Sequence, residues 1–147
     1  MDVSSKVTGL EDFDQAIKKL EGRQVRSVLR RATNQSVQPV VREARRLFDQ
    51  NVGRQSGTTR RNIKKRSLKK SERNRLNIDL GALVYLDDDG FAGRFWELGF
   101  TRYGQHYAPR PFLRPAADSQ QAAVINRFGQ RAGRILEREL RKQSKGQ

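Results

Sequence analysis

Covalent catalysis needs a nucleophile held beside a base, with a third group to orient that base. The chain holds one histidine, His106, and no cysteine. His106 lies in a Gly- and Tyr-rich stretch with no nucleophile–base set around it in the sequence, so it reads as a structural residue. No Gly-rich phosphate loop and no dinucleotide fingerprint is present. Asp87, Asp88 and Asp89 form an acidic run. Carboxylate oxygens suit Mg²⁺ or Ca²⁺, but further ligands at EF-hand spacing are missing. With Gly90 behind it, the run reads as a turn. The residues therefore point to no enzyme, no cofactor and no metal, and the lack of cysteine excludes disulfides and thiolate metal sites.

What remains is charge and aromatic surface. The 147 residues carry 31 Lys and Arg against 16 Asp and Glu, a formal charge of +15. Such a surplus attracts polyanions or an acidic partner surface and makes the chain repel itself. It is unevenly placed: residues 54–75 alone hold ten bases and one acid, Glu72, whereas residues 76–119 are net −2. In the basic stretch, Arg60, Arg61, Lys64, Lys65, Arg66, Lys69 and Lys70 could neutralise a nucleic-acid backbone without reading its sequence. The competing reading is a solvated loop or hairpin that meets acidic neighbours in an assembly.

Seven of the eleven aromatic residues fall within 91–112: Phe91, Phe95, Trp96, Phe100, Tyr103, Tyr107 and Phe112. Arg94, Arg102, Arg110 and Arg114 interleave with them. Base stacking is one use of such a cluster. Stacking platforms usually lie on a sheet face rather than among turns and prolines. The favoured reading is therefore a loop anchored by its rings to the core or to a neighbouring subunit.

These residues must be positioned by a small fold. The length fits one domain, with 35% apolar and 32% charged residues leaving a modest core. No run of about 18 apolar residues is present to span a membrane, and the opening MDVSSKVTG lacks the apolar core of a secretory leader. Thr8-Gly9-Leu10-Glu11 reads as a capping box, and Leu10, Phe13, Ile17 and Leu20 share one helix face. Helix is expected over 9–52, with a bend at Gly22, a kink near Val37–Pro39 and a stop at Asn51 and Gly53. Residues 54–75 are expected to form an exposed or mobile arm, with at best a weak strand at Ile63 and Leu68. From Leu76 to Leu86 apolar residues alternate as in a strand. Phe91, Ala92, Phe95 and Leu98 fit a short helix closed by Gly99, and 99–111 reads as loop. Pro111 to Pro115 reads as extended. A helix over 115–142 follows, with Val124, Ile125, Phe128, Ala132, Ile135, Leu136 and Leu140 on one stripe, and 143–147 fray. The fold class is α+β: a small antiparallel sheet packed by long N-terminal helices and a C-terminal amphipathic helix.

Phe95-Trp96-Glu97-Leu98-Gly99 followed by Arg110-Pro111-Phe112-Leu113-Arg114-Pro115-Ala116 resembles a family. It is similar to the tail-completion or neck proteins of long-tailed bacteriophages, also described as minor tail or tail-component proteins. Their Gly-Leu opening and Leu-rich helix are matched by Gly9, Leu10, Phe13, Ile17 and Leu20. Their Thr-Gly-x-Leu-x-x-Ser-Ile element is matched in place by Ser56-Gly57-Thr58-Thr59-Arg60-Arg61-Asn62-Ile63. The likeness runs over residues 7 to 140. Thr59 stands for the usual Leu, Asn62 for Ser, and Phe100 separates Gly99 from Thr101.

The resemblance implies a structural virion protein of the head–tail connector region. It would form a homo-oligomeric ring around the DNA channel, at the neck or tail end, beside head-closure and tail proteins. It would be assembled in the host cytoplasm, with no membrane partner. Phe95, Trp96, Glu97, Gly99, Arg110, Pro111, Phe112, Leu113, Arg114 and Pro115 would shape the subunit or partner interface. Charge and proximity in sequence, apart from the resemblance, pair Glu97 with Arg110 or Arg114. The basic stretch would face packaged double-stranded DNA or an adjacent acidic ring. The alternative reading is a non-specific basic nucleic-acid-binding module.

Overall fold

In a computed structural model, residues 10–53 and 57–146 are described, with side chains from residue 14 onward. Thr8 of the expected capping box and Ser56 of the matched element lie outside them. The elements in chain order are α1 (Leu10–Lys18), α2 (Gly22–Ser36), α3 (Gln38–Asn51), α4 (Thr58–Arg61), β1 (Ile63–Ser67), α5 (Lys70–Leu76) and β2 (Ala82–Leu86). A 3₁₀ turn at Asp88–Gly90 precedes α6 (Ala92–Leu98), β3 (Phe100–Arg102), β4 (Gln105–Tyr107), α7 (Leu113–Ser119) and α8 (Gln121–Lys145). The fold is α+β, with two antiparallel two-stranded sheets in place of one.

Length leads one to expect a single domain; the chain packs as two compact units interleaved in sequence. The first comprises residues 1–36, 67–81 and 125–147. Its core is Ala16 and Leu20, Val28 and Ala32 of α2, and Ala132, Ile135, Leu136 and Leu140 of α8. Ala32 and Ala132, both essentially without exposure, leave room for close helix packing. Arg127 Nε donates to the Gln35 carbonyl at 3.0 Å, placing a cation on the last turn of α2. Gln143 Nε2 donates to Gln24 Oε1 at 2.9 Å. The helix consequently runs to Lys145, where fraying from 143 is expected on sequence.

The second unit comprises residues 37–66 and 82–124. Its core gathers Val40, Val41, Ala44 and Phe48 of α3 with Ile63, Leu86, Phe112 and Ala116. Val37 separates α2 from α3, and Pro39 falls in the first turn of α3, where its missing N–H costs nothing. The expected kink is thus a break between two helices.

Three further boundaries differ from the sequence reading. The strand expected over 76–86 is restricted to Ala82–Leu86. Leu76 ends α5, Asn77 takes a left-handed φ of 53°, and Leu76 and Ile78 are exposed. Asn tolerates that conformation and closes a helix, and this local signal overrides the alternation. The loop expected over 99–111 contains a hairpin, β3 with β4, in register Thr101↔His106. Its tip, Tyr103-Gly104, takes positive φ at both residues, 51° and 77°, as a two-residue type I′ turn requires. Finally, the helix expected over 115–142 is two helices separated at Gln120, and the first begins at Leu113, within the run expected to be extended.

From Gly57 onward the basic stretch is built into the fold. Asp87 N–H donates to the Asn62 carbonyl at 2.9 Å and Leu68 N–H to the Gly81 carbonyl at 3.0 Å, bracketing an antiparallel β1–β2 ladder. Ile63 is fully buried, so it anchors β1 and is not part of a mobile arm. Gly57 enters α4 with φ of 70°, which a residue bearing a Cβ resists.

Candidate functional site

The residues singled out by the two-part motif come together in the second unit. α6 carries Phe95, Trp96 and Glu97 and ends at Gly99. The chain returns through the β3–β4 hairpin to Arg110 and enters α7. The junction is held by Glu97. Its Oε2 accepts the N–H groups of Phe112 at 2.7 Å and Leu113 at 3.0 Å, and its Oε1 that of Arg114 at 3.1 Å. These amides lie at the start of α7, whose donors have no partner inside the helix. A carboxylate there satisfies them and meets the positive end of the helix dipole. This explains why α7 starts before Pro115: the cap is supplied by a residue 15 positions away in sequence. The expected pairing of Glu97 with an arginine is thus replaced by pairing with backbone.

Arg110 acts at the opposite kind of helix end. Its Nη1 donates to the Asn51 carbonyl at the end of α3, at 3.3 Å. Asn51 Nδ2 in turn donates to the Pro111 carbonyl at 3.2 Å. The Arg110 N–H donates to the Trp96 carbonyl at 2.7 Å, and its guanidinium lies 5.5 Å from the Trp96 ring centre. An acid at a helix start and a base at a helix end therefore fix the two ends of the same short segment.

Gly99 is required by conformation and by space. Its φ of 76° and ψ of 161° fall where essentially only glycine is found, and a Cβ would sit 2.9 Å from Pro109 Cδ. Gly99→Ala is expected to cost about 2 kcal/mol, measured as a lowered urea midpoint with unchanged slope. Phe100, the residue that separates Gly99 from Thr101, stacks on Tyr107 at 4.6 Å with the rings 9° apart. Phe100 thus adds to the ring cluster. Gly93 is equally tight: a Cβ would meet Thr59 Cγ2 at 2.7 Å and Leu86 Cδ1 at 2.9 Å.

The aromatic residues divide by role. Phe112 is fully buried, edge-on to Phe48 with centroids 5.0 Å apart, so it anchors the loop and offers no surface to a partner. Phe91, Phe95, Phe100, Trp96 and Tyr107 form a chain of ring contacts with centroids 4.6–6.4 Å apart. Phe91, Phe95 and Leu98 remain exposed, Leu98 at 76%. Beside them lies an open depression of about 510 Å³, lined by Ala92, Phe95, Trp96, Phe100, Thr101 and Arg102. Of the expected interface residues, Phe95, Arg110, Pro111 and Arg114 are exposed, Trp96, Leu113 and Pro115 are half-buried, and Glu97 and Gly99 shape the segment from within.

The seven basic candidates are divided between the two units. Arg60, Arg61, Lys64, Lys65 and Arg66 belong to the second unit, Lys69 and Lys70 to the first. Arg60 Nε pairs with Asp49 at 2.8 Å, and Lys64 Nζ pairs with Asp87 at 2.5 Å. Hydrogen bonding from Lys64 pulls the Asp87 carboxyl below its usual range and raises the lysine. Arg66 lies over the Tyr85 ring at 5.4 Å. Part of the charge is therefore consumed inside the fold. His106 is exposed on β4, with Nδ1 3.4 Å from Thr101 Oγ1. Among the described residues no three His, Cys, Asp or Glu side chains converge as a metal site, and no helix is long and apolar enough to cross a membrane.

Comparison with family models, with curated proteins and with solved structures finds no match for this chain.

Proposed function

We propose that the protein is a structural component of a tailed-phage virion. In this reading it is part of the neck or tail-completion ring around the DNA channel, and it does no chemistry. The observation that carries the reading is the junction in the second unit. Glu97 and Arg110 lock Arg110–Pro115 in place from both ends, beside Phe91, Phe95 and Leu98, which are left in solvent. Adjoining apolar side chains exposed beside a rigid loop favour burial against a neighbour, and a head-to-tail contact that closes by rotation gives a ring. The resemblance of the same residues to phage tail-completion proteins points the same way.

Light scattering on the purified protein, at low and high salt and with or without DNA, tests this. Ring-sized particles are expected without DNA, and Leu98→Glu should abolish them while leaving the melting temperature nearly unchanged. A monomer that associates only when DNA is added would instead support the non-specific nucleic-acid-binding module.

A further inference from the structure

A row of unpaired charge in the described residues lies outside the basic stretch. α2 contains four arginines and no acid. Val28 and Ala32 face the core, while Arg23, Arg26 and Arg30 are exposed. Spacings of three and four residues put these three on one helix face, spread over about 10 Å at 1.5 Å per residue. They line an open cleft of about 600 Å³ in the first unit. Among the described residues, no carboxylate pairs with any of them. This contrasts with Arg46, held by Glu43 at 2.7 Å, and with Arg60 and Lys64, held by Asp49 and Asp87.

The acid in the cleft, Glu139, is already committed. It binds Arg31 Nη2 at 2.9 Å and Lys142 Nζ at 3.4 Å, and the hydrogen bond from Arg31 holds its carboxyl below the usual range. The remaining lining is neutral: Ser27, and Gln24, which is fixed by bonds from the Glu21 N–H and Gln143. Three guanidinium groups held along 10 Å of helix repel one another, and a run of phosphates relieves that repulsion. One strand of duplex DNA places a phosphate about every 3.4 Å along its axis, so the three arginines span about three phosphates.

We infer that Arg23, Arg26 and Arg30 of α2 form a sequence-independent contact with the phosphate backbone of double-stranded DNA. The choice of duplex DNA rests on the channel reading above; the preference for phosphate rests on the arginine face itself.

The test is fluorescence anisotropy with a labelled random-sequence duplex across a salt series. It compares the wild type, Arg23→Gln/Arg26→Gln/Arg30→Gln, and Lys19→Gln/Arg42→Gln/Lys145→Gln, which removes the same charge from exposed positions outside both α2 and the basic stretch. The α2 triple variant should lose about three from the slope of log K against log salt. It should also bind at least tenfold more weakly than the second triple variant, with all three proteins melting alike. Equal losses in the two variants would reduce the effect to net charge and overturn the assignment, as would a wild type that does not bind. If poly-glutamate distinguishes wild type from the α2 variant and DNA does not, the cleft takes an acidic protein and the assignment fails. The assay is separable from the ring: particles that form without DNA but show no α2 effect leave the structural role standing. A monomer with the α2 effect does the reverse.

Discussion

Phe112→Ala is expected to be the most damaging single substitution in the second unit, lowering stability by about 3–5 kcal/mol. The ring has no exposure and packs edge-on against Phe48, with Val40, Val41, Ala44, Ile63 and Ala116 in the same cluster. Truncation removes the transfer free energy of the ring and leaves a cavity that the helices around it fill only in part. Fluorescence of Trp96, the sole tryptophan, reports on this unit, because Trp96 packs against the same core. Urea unfolding followed at Trp96 should show the midpoint fall with the slope kept. A loss under 1 kcal/mol would mean that Phe112 does not anchor the loop.

Glu97→Ala is expected to cost about 2–4 kcal/mol. Three backbone donors, those of Phe112, Leu113 and Arg114, lose one carboxylate together. Two of these bonds are partly buried, so water replaces the acceptor incompletely. Glu97→Gln keeps an acceptor oxygen and loses the charge at the helix start, and should cost only about 1 kcal/mol. Hydrogen exchange locates the effect: the amides of residues 112–114 should exchange fastest in Glu97→Ala, while those of α3 change less. Protection of 112–114 that matches the wild type would contradict the capping role.

The two-part motif was legible in the sequence as a unit, and so were most helices. The reason is local. Val28 and Ala32, or Ile135, Leu136 and Leu140, recur at helical spacing, and that spacing survives into the packed core. Pro39 and Pro115 each mark a first turn for the same local reason. What was not legible depends on partners distant in sequence. Nothing near Phe112 announces that Glu97 will cap its amide, so the local sequence starts α7 too late and pairs Glu97 with arginine by charge alone. Ile63 looked isolated in a basic run because its apolar neighbours lie in α3 and β2. The β3–β4 hairpin did carry a local signal, Tyr103-Gly104, but Tyr is an unusual first residue for such a turn and Arg and aromatic neighbours masked it. The arginine face of α2 was present in the spacing of Arg23, Arg26 and Arg30. It was overshadowed by the denser charge at 54–75, part of which the fold pairs internally.

Immunogold electron microscopy of purified particles made by the genome that encodes this chain tests the proposed place in a virion. Mass spectrometry of the same particles reports its copy number. Several copies per particle are expected, with label confined to the capsid–tail junction or the tail end. Particles that contain none of the protein, or label spread over the capsid surface, would contradict it.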